Sequence, residues 1–184
     1  MTFAYFNRLT HAQQRVYLKS DAVTAIRLER AGDCDPLVAA LSEALQSEEE
    51  GRVGRATQAL LDALASRLSV SRVEARLLAA RPSRSWGELH GLYTTRGRGR
   101  PARITVWMRT ARHRKVVAFK TFLRTLLHEL CHHLDYERLK LLDSFHTEGF
   151  YKRESSLFHQ LMESGLSTPA SRSFSRVPAP PISP

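Results

Sequence analysis

Five consecutive residues, His128-Glu129-Leu130-Cys131-His132, carry the clearest chemical signal in the chain. Two histidines four residues apart lie on one face of a helix, where both imidazoles reach the same metal ion. The glutamate between them can take a proton from a water that the metal polarises. The surrounding apolar residues predict the helix itself, from about Val116 to about Lys140. Phe119, Phe122, Leu123, Leu126, Leu127, Leu130 and Leu134 recur at spacings of three and four and make one core-facing stripe. At about 100° per residue, His128 and His132 fall opposite that stripe, with Thr121, Thr125 and Asp135, and are expected to point into a cleft. The plain alternative is a helix that carries solvated histidines. With eight histidines in the chain, an H-E-x-x-H arises by chance in roughly a few per cent of shuffled sequences. The long apolar helix, the strand-like runs before it and the histidine-bearing stretch after it favour the metal.

Two ligands leave a zinc site incomplete, so a third must come from downstream. His146, Glu148, Glu154 and His159 all offer donor atoms. If the helix ends near Leu139, six or so extended residues return about 20 Å and bring His146 back to the site. If a second helix runs back antiparallel, Glu154 becomes the natural ligand. Spacing alone leaves that choice open. Asp135, one turn beyond His132, either accepts a histidine ring proton or pairs with Arg138. Tyr136, Tyr151 and Arg153 are candidates to stabilise an oxyanion. His133 and Cys131 read as packing or as support for the ligands.

The elements that must position these groups are legible as patterns. Thr10-His11-Ala12-Gln13 has the form of a capping box and opens a helix to about Arg30. Asp35-Pro36 opens a short helix through about Gln46. A third helix takes Val53 to about Leu68, with Leu60, Leu61, Leu64 and Leu68 on one side. Strands are expected at Val73 to Leu78, Glu88 to Thr94 and Arg103 to Thr110, the last two separated by Arg96-Gly97-Arg98-Gly99-Arg100-Pro101. The strand Arg103 to Arg109 is either an edge able to pair with an extended substrate or an ordinary internal strand. From about Ser167 the chain turns to Ser, Pro and Arg, which predicts disorder. The expected organisation is a helical scaffold at 1–70, a catalytic domain at 71–166 and a disordered tail at 167–184.

Composition bounds the class. A chain of 184 residues with 42% hydrophobic and 25% charged residues is large enough to bury a core without covalent staples. Its two cysteines, Cys34 and Cys131, build neither a disulfide framework nor a cysteine zinc ribbon, and a reducing compartment fits best. The opening residues Met1 to Arg8 lack the layout of a signal peptide and no run is long enough to span a bilayer, so a cytoplasmic protein without a membrane partner is expected. The formal net charge is +10. Between Glu88 and Glu129 no acidic residue occurs, while Arg96, Arg98, Arg100, Arg103, Arg109, Arg112, Arg114, Lys115, Lys120 and Arg124 are all basic. Arg96, Arg98 and Arg100 suit phosphate contacts, which makes DNA a candidate partner of the 96–115 segment; a solvated hairpin tip accounts for them equally well.

The segment His128 to His132, followed by His146-Thr147-Glu148-Gly149-Phe150-Tyr151-Lys152-Arg153, resembles the SprT-like (Spartan-like) zinc metallopeptidases over roughly Val73 to Leu161. That family carries H-E-x-x-H and then a third histidine in an H-G-x-x-F-x-x-R-like stretch. His146, Phe150 and Arg153 stand at the matching positions, and Thr147 stands where glycine is usual. The resemblance implies Zn2+ held by His128, His132 and His146, with Glu129 as the base. It implies a zincin-like fold, a small, mostly antiparallel sheet packed on the H-E-x-x-H helix and a following helix; with the helical N-terminal part, which is read from the residues and has no counterpart in that family, the expected class is α+β. The activity it implies is hydrolysis of a protein or peptide substrate, with DNA-associated proteins among the expected substrates. The reading from a different class is a zincin-like basic protein that binds nucleic acid and hydrolyses nothing.

Overall fold

A computed structural model describes residues 3–84, 87–95, 97 and 99–164. Helix α1 (His11–Asp21) begins at the expected capping box, in which the Thr10 hydroxyl accepts from the Gln13 N–H and the Gln13 side chain accepts from the Thr10 N–H. It stops well short of Arg30. Residues 23–28 beyond it form no helix, with Ile26 and Leu28 buried, and a side-chain amide bonds part of their backbone. Gln160 accepts from the Leu28 N–H at 2.8 Å and donates to the Ile26 carbonyl at 2.9 Å. A short 3-10 turn, Ala31–Cys34, leads into α2 (Asp35–Ser47), which has Pro36 in its first turn. Helix α3 (Glu50–Arg67) starts earlier than Val53, and Glu50 in its first turn complements the helix dipole.

Three strands form the main sheet in the order β1-β5-β4, where β1 is Val73–Ala80, β4 is Gly91–Thr94 and β5 is Ala102–Arg109. Strands β1 and β5 run parallel from Val73↔Ala102 to Ala80↔Arg109, whereas β4 and β5 run antiparallel from Gly91↔Val106 to Thr94↔Arg103. The sheet is therefore mixed, and its longer ladder is parallel rather than antiparallel. The strand expected at Glu88 to Thr94 is split: Gly87–Glu88 (β3) pairs with Ser83–Arg84 (β2) in a separate ribbon, and β4 is a distinct element. Strand β5 is central, so the edge reading of Arg103 to Arg109 fails. Its residues Ile104 to Met108 are buried without a break, the pattern of a strand covered on both faces. The edge is β4.

Helix α4 (Phe119–Glu137) packs on this sheet and α5 (Glu148–Ser164) packs on α4. Val116 and Val117 do not join α4, because they pair back antiparallel on the end of β5: Val116 bridges Arg109, and the Val117 N–H donates to the Met108 carbonyl at 2.8 Å. The apolar stripe lies as the periodicity predicts, with Phe122, Leu123, Leu126, Leu127, Leu130 and Leu134 buried. One hydrophobic cluster joins α2, α3, the sheet, α4 and α5, so the helical first third and the rest share a core. Among the described residues no helix is long and apolar enough to cross a membrane. The expected tail, 167–184, lies outside the described residues.

Candidate metal centre

Helix α4 ends in a reversal that sets the course of the chain back to the cleft. Lys140 takes a left-handed conformation (φ 52°), the Leu139 N–H donates to the Leu134 carbonyl, and the Leu141 N–H donates to the Asp135 carbonyl, each at 2.9 Å. This satisfies the last carbonyls of the helix and turns the chain back along it. His146 arrives at the site on that return. Its Nε2 lies 3.0 Å from Nε2 of His128 and 3.1 Å from Nε2 of His132. Nitrogens at this distance need either an N–H donated from one ring to the next or a cation among them. A proton is a poor candidate, since burial and the neighbouring histidines push His132 down to about 3 and His146 below its ordinary value. A metal ion fits: bonds of about 2.0–2.1 Å in tetrahedral array require nitrogens about 3.3–3.4 Å apart. The three histidines can hold a metal ion.

The fold fixes His146 from both sides. Its carbonyl accepts from the Tyr5 hydroxyl at 2.9 Å, and the next residue, Thr147, caps α5 by accepting from the Phe150 N–H at 2.9 Å. A glycine there could not cap in this way. Phe150 itself is fully buried, with its ring centroid 4.8–5.2 Å from all three imidazoles, and forms the floor of the site. Glu154 stands one turn further along α5 and is not a fourth member of the cluster: its Oε2 lies 3.0 Å from Nδ1 of His128. Glu148 pairs with Lys152 and His159 with Glu163, away from the triad.

Two expectations for the surrounding residues are corrected. Asp135 neither pairs with Arg138 nor touches a histidine. Arg138 donates instead to the Leu68 carbonyl, and Asp135 is fully buried between Ser144, whose hydroxyl donates to Oδ2 at 2.7 Å, and Arg153, whose Nη2 donates to Oδ1 at 2.7 Å. Burial pushes the Asp135 carboxyl up, and the guanidinium and the two hydrogen bonds oppose that. Arg153 is fully buried and also holds the Ser20 and Val23 carbonyls at the end of α1. It has no access to an oxyanion, because its charge is committed to ordering the core.

Glu129 faces the other wall of the cleft. It is 6% exposed, and burial raises its carboxyl to about 7 against the opposing pull of His128 and of a hydrogen bond from the Tyr93 main chain. Strand β4 approaches so closely that a Cβ on Gly91 would lie 2.4 Å from Glu129 Oε1. Tyr93 is held in turn by His133, whose Nδ1 lies 3.1 Å from the phenol oxygen and whose Nε2 lies 2.9 Å from the Ser71 carbonyl. Tyr136 stacks on Tyr93 with centroids 5.8 Å apart, and both line a cleft of about 640 Å³ that also contains the three histidines, Glu129 and Arg124. Tyr151 is 43% exposed and stacks on His146 at 5.9 Å.

Sequence reasoning missed Gly91, Tyr93, Ser144 and the roles of Thr147 and Phe150. Only Thr147 carried a usable signal, since a threonine three residues before Phe150 and one before Glu148 has the form of an N-cap. In the basic segment, Arg96 and Arg98 lie outside the described residues, while Arg100, Arg112, Arg114, Lys115 and Lys120 are exposed. Arg103 and Arg109 are engaged by Glu74 and Glu48, and Arg124 lies over the Phe158 ring near Glu154. No family model matches the chain, and no curated protein or solved structure matches it.

Proposed function

We propose that the chain is a zinc metallopeptidase that hydrolyses peptide bonds, with His128, His132 and His146 as ligands and Glu129 as the general base. The observation that carries this reading is the convergence of three imidazole nitrogens beside a buried carboxylate in one open cleft. Three neutral nitrogen donors with an open fourth position suit catalytic zinc. Zinc bound there would supply Lewis acidity, lowering the pKa of water and polarising the scissile carbonyl. The rest is done by the chain. A carboxyl held near 7 both accepts a proton from the attacking water and returns it to the leaving amine at neutral pH. Phe150 closes the floor to solvent. The outer edge of β4, not β5, is where an extended peptide can add as a strand beside Glu129. This is consistent with the SprT-like resemblance, including its extension to DNA-associated substrates. The two buried, unpaired cysteines fit the reducing conditions of the cytoplasm.

A second role is favoured by one observation. With Arg103, Arg109 and Arg124 engaged by acidic or aromatic side chains, the exposed Arg112, Arg114 and Lys115 form a basic turn at the end of β5, and no acidic residue occurs in sequence between Glu88 and Glu129. Contact with DNA through this surface predicts an affinity that falls steeply with salt; an affinity indifferent to salt removes DNA as a partner.

The deciding experiment combines metal content with hydrolysis of a labelled casein. Wild type is expected to hold one equivalent of zinc, His146→Ala to lose it, and Glu154→Ala to retain the site with weaker affinity. Glu129→Gln is expected to keep zinc and lose about 10²- to 10⁴-fold in turnover. A wild type that takes up no zinc, or a Glu129→Gln variant as active as wild type, overturns the assignment.

A further inference from the structure

The two histidines that α4 contributes to the cluster are supported unequally, and the difference lies in a residue outside both motifs. Nδ1 of His128 meets a carboxylate directly, Glu154 Oε2 at 3.0 Å. Nδ1 of His132 meets only a hydroxyl, Ser144 Oγ at 2.7 Å. That hydroxyl has one proton, and it is committed to Asp135 Oδ2 at 2.7 Å. Asp135 accepts in turn from the buried Arg153 guanidinium at 2.7 Å, which Ser20 Oγ anchors at 3.0 Å. With its own proton facing Asp135, Ser144 can only accept from the imidazole. Nδ1 of His132 must then carry the ring hydrogen, and Nε2 is left as a bare lone pair turned towards His128 and His146.

We propose that Ser144 is a positioning residue for the metal centre, acting as a relay through which the buried Asp135–Arg153 pair fixes the tautomer and ring orientation of His132. The proposal rests on the metal site inferred above. It explains why so costly a buried ion pair sits one turn beyond the ligand rather than on it. A carboxylate touching His132 directly would add a second negative charge at the site beside Glu154; the serine transmits orientation while keeping that charge one residue away. It also makes the end of α1 part of the support for a ligand more than a hundred positions downstream, through Ser20 and the Val23 carbonyl. The left-handed turn at Lys140 is what returns Ser144 to lie against α4.

The test uses the full chain with Ser144→Ala and Ser144→Thr. Nitrogen-detected NMR of the imidazoles in the metal-free protein is expected to show His132 as the Nδ1–H tautomer in wild type and in Ser144→Thr, and a tautomer mixture in Ser144→Ala. Zinc affinity, read by competition with a chromogenic chelator, is expected to fall about 10- to 100-fold in Ser144→Ala, the usual cost of losing a ligand's hydrogen-bond partner. The threonine hydroxyl is expected to restore it. Cobalt in place of zinc reports the same change as a shift of its visible absorption bands in Ser144→Ala, with no shift in Ser144→Thr. An Nε2–H tautomer of His132 in wild type, or a Ser144→Ala protein with wild-type tautomer and wild-type zinc affinity, overturns the relay. If wild type binds no zinc, the peptidase assignment falls, and the tautomer measurement still decides the relay.

Discussion

The two walls of the cleft hold their residues by different means. On the α5 side, imidazoles are fixed by side chains: Glu154 on His128, Ser144 on His132, Phe150 beneath all three. On the β4 side, Glu129 is fixed by backbone: the Tyr93 main chain bonds to it, and the missing side chain of Gly91 makes room for it. A metal ligand needs a set tautomer and direction, which a hydrogen-bonding side chain supplies. The base proposed here, which would cycle between protonation states, needs a dry, close-fitting slot, and the edge of a sheet supplies that without adding charge. The division also separates what mutations on each wall should damage.

The largest expected effect is on the α5 side. Arg153→Met removes the buried guanidinium that faces Asp135 and strands a buried carboxylate, which costs about 3–5 kcal/mol; chemical denaturation of the metal-free protein measures it. A loss below about 1 kcal/mol would mean that Asp135 is already neutral in the folded state. Next is the β4 side, where the raised pKa of Glu129 gives a sign that can be checked. A carboxyl at about 4.5 unfolded and about 7 folded binds its proton more tightly in the native state. The stability it contributes is therefore complete below about 4.5 and is lost as the pH rises towards about 7. The loss is on the order of 3 kcal/mol, and Glu129→Gln is expected to abolish that slope in metal-free unfolding curves. The smallest effect sharpens the comparison most. Gly91→Ala forces Glu129 out of its slot and is expected to cut hydrolysis about 100-fold while leaving one equivalent of zinc. Loss of zinc in that variant would show that the two walls are mechanically one.

Legibility in the sequence divides along similar lines. The apolar stripe of α4, the capping box at Thr10 and the Asp35-Pro36 start are local patterns, and the structure reproduces them. Elements whose identity depends on distant partners are not legible in this way. Residues 23–28 continue a helical pattern in sequence yet form no helix, and Gln160, from another part of the chain, bonds the Leu28 N–H and the Ile26 carbonyl. The position of β5 at the centre of the sheet shows in the unbroken burial of Ile104 to Met108, which a run of mixed β-branched and aromatic residues does not distinguish from an edge. At the site, histidines at helical spacing announce themselves, whereas Gly91 and Ser144 belong to residue types that occur everywhere. Arg153 stands out in the sequence but its role does not, since a motif arginine looks the same whether it faces a substrate or the interior.

The clasp between the end of α1 and the start of α5 has a consequence in time. Gly149 donates its N–H to Asp21 Oδ1 at 2.8 Å across 128 positions of sequence, and it packs so tightly there that a Cβ would fall 2.2 Å from the Asp21 carbonyl oxygen. At roughly 5–20 residues per second of synthesis, the two halves of the clasp leave the ribosome about 6–26 s apart. His146, three residues before Gly149, cannot be seated until the later half arrives. A nascent chain that has already exposed His128, Glu129 and His132 therefore lacks the third imidazole of the cluster until α5 docks against the end of α1.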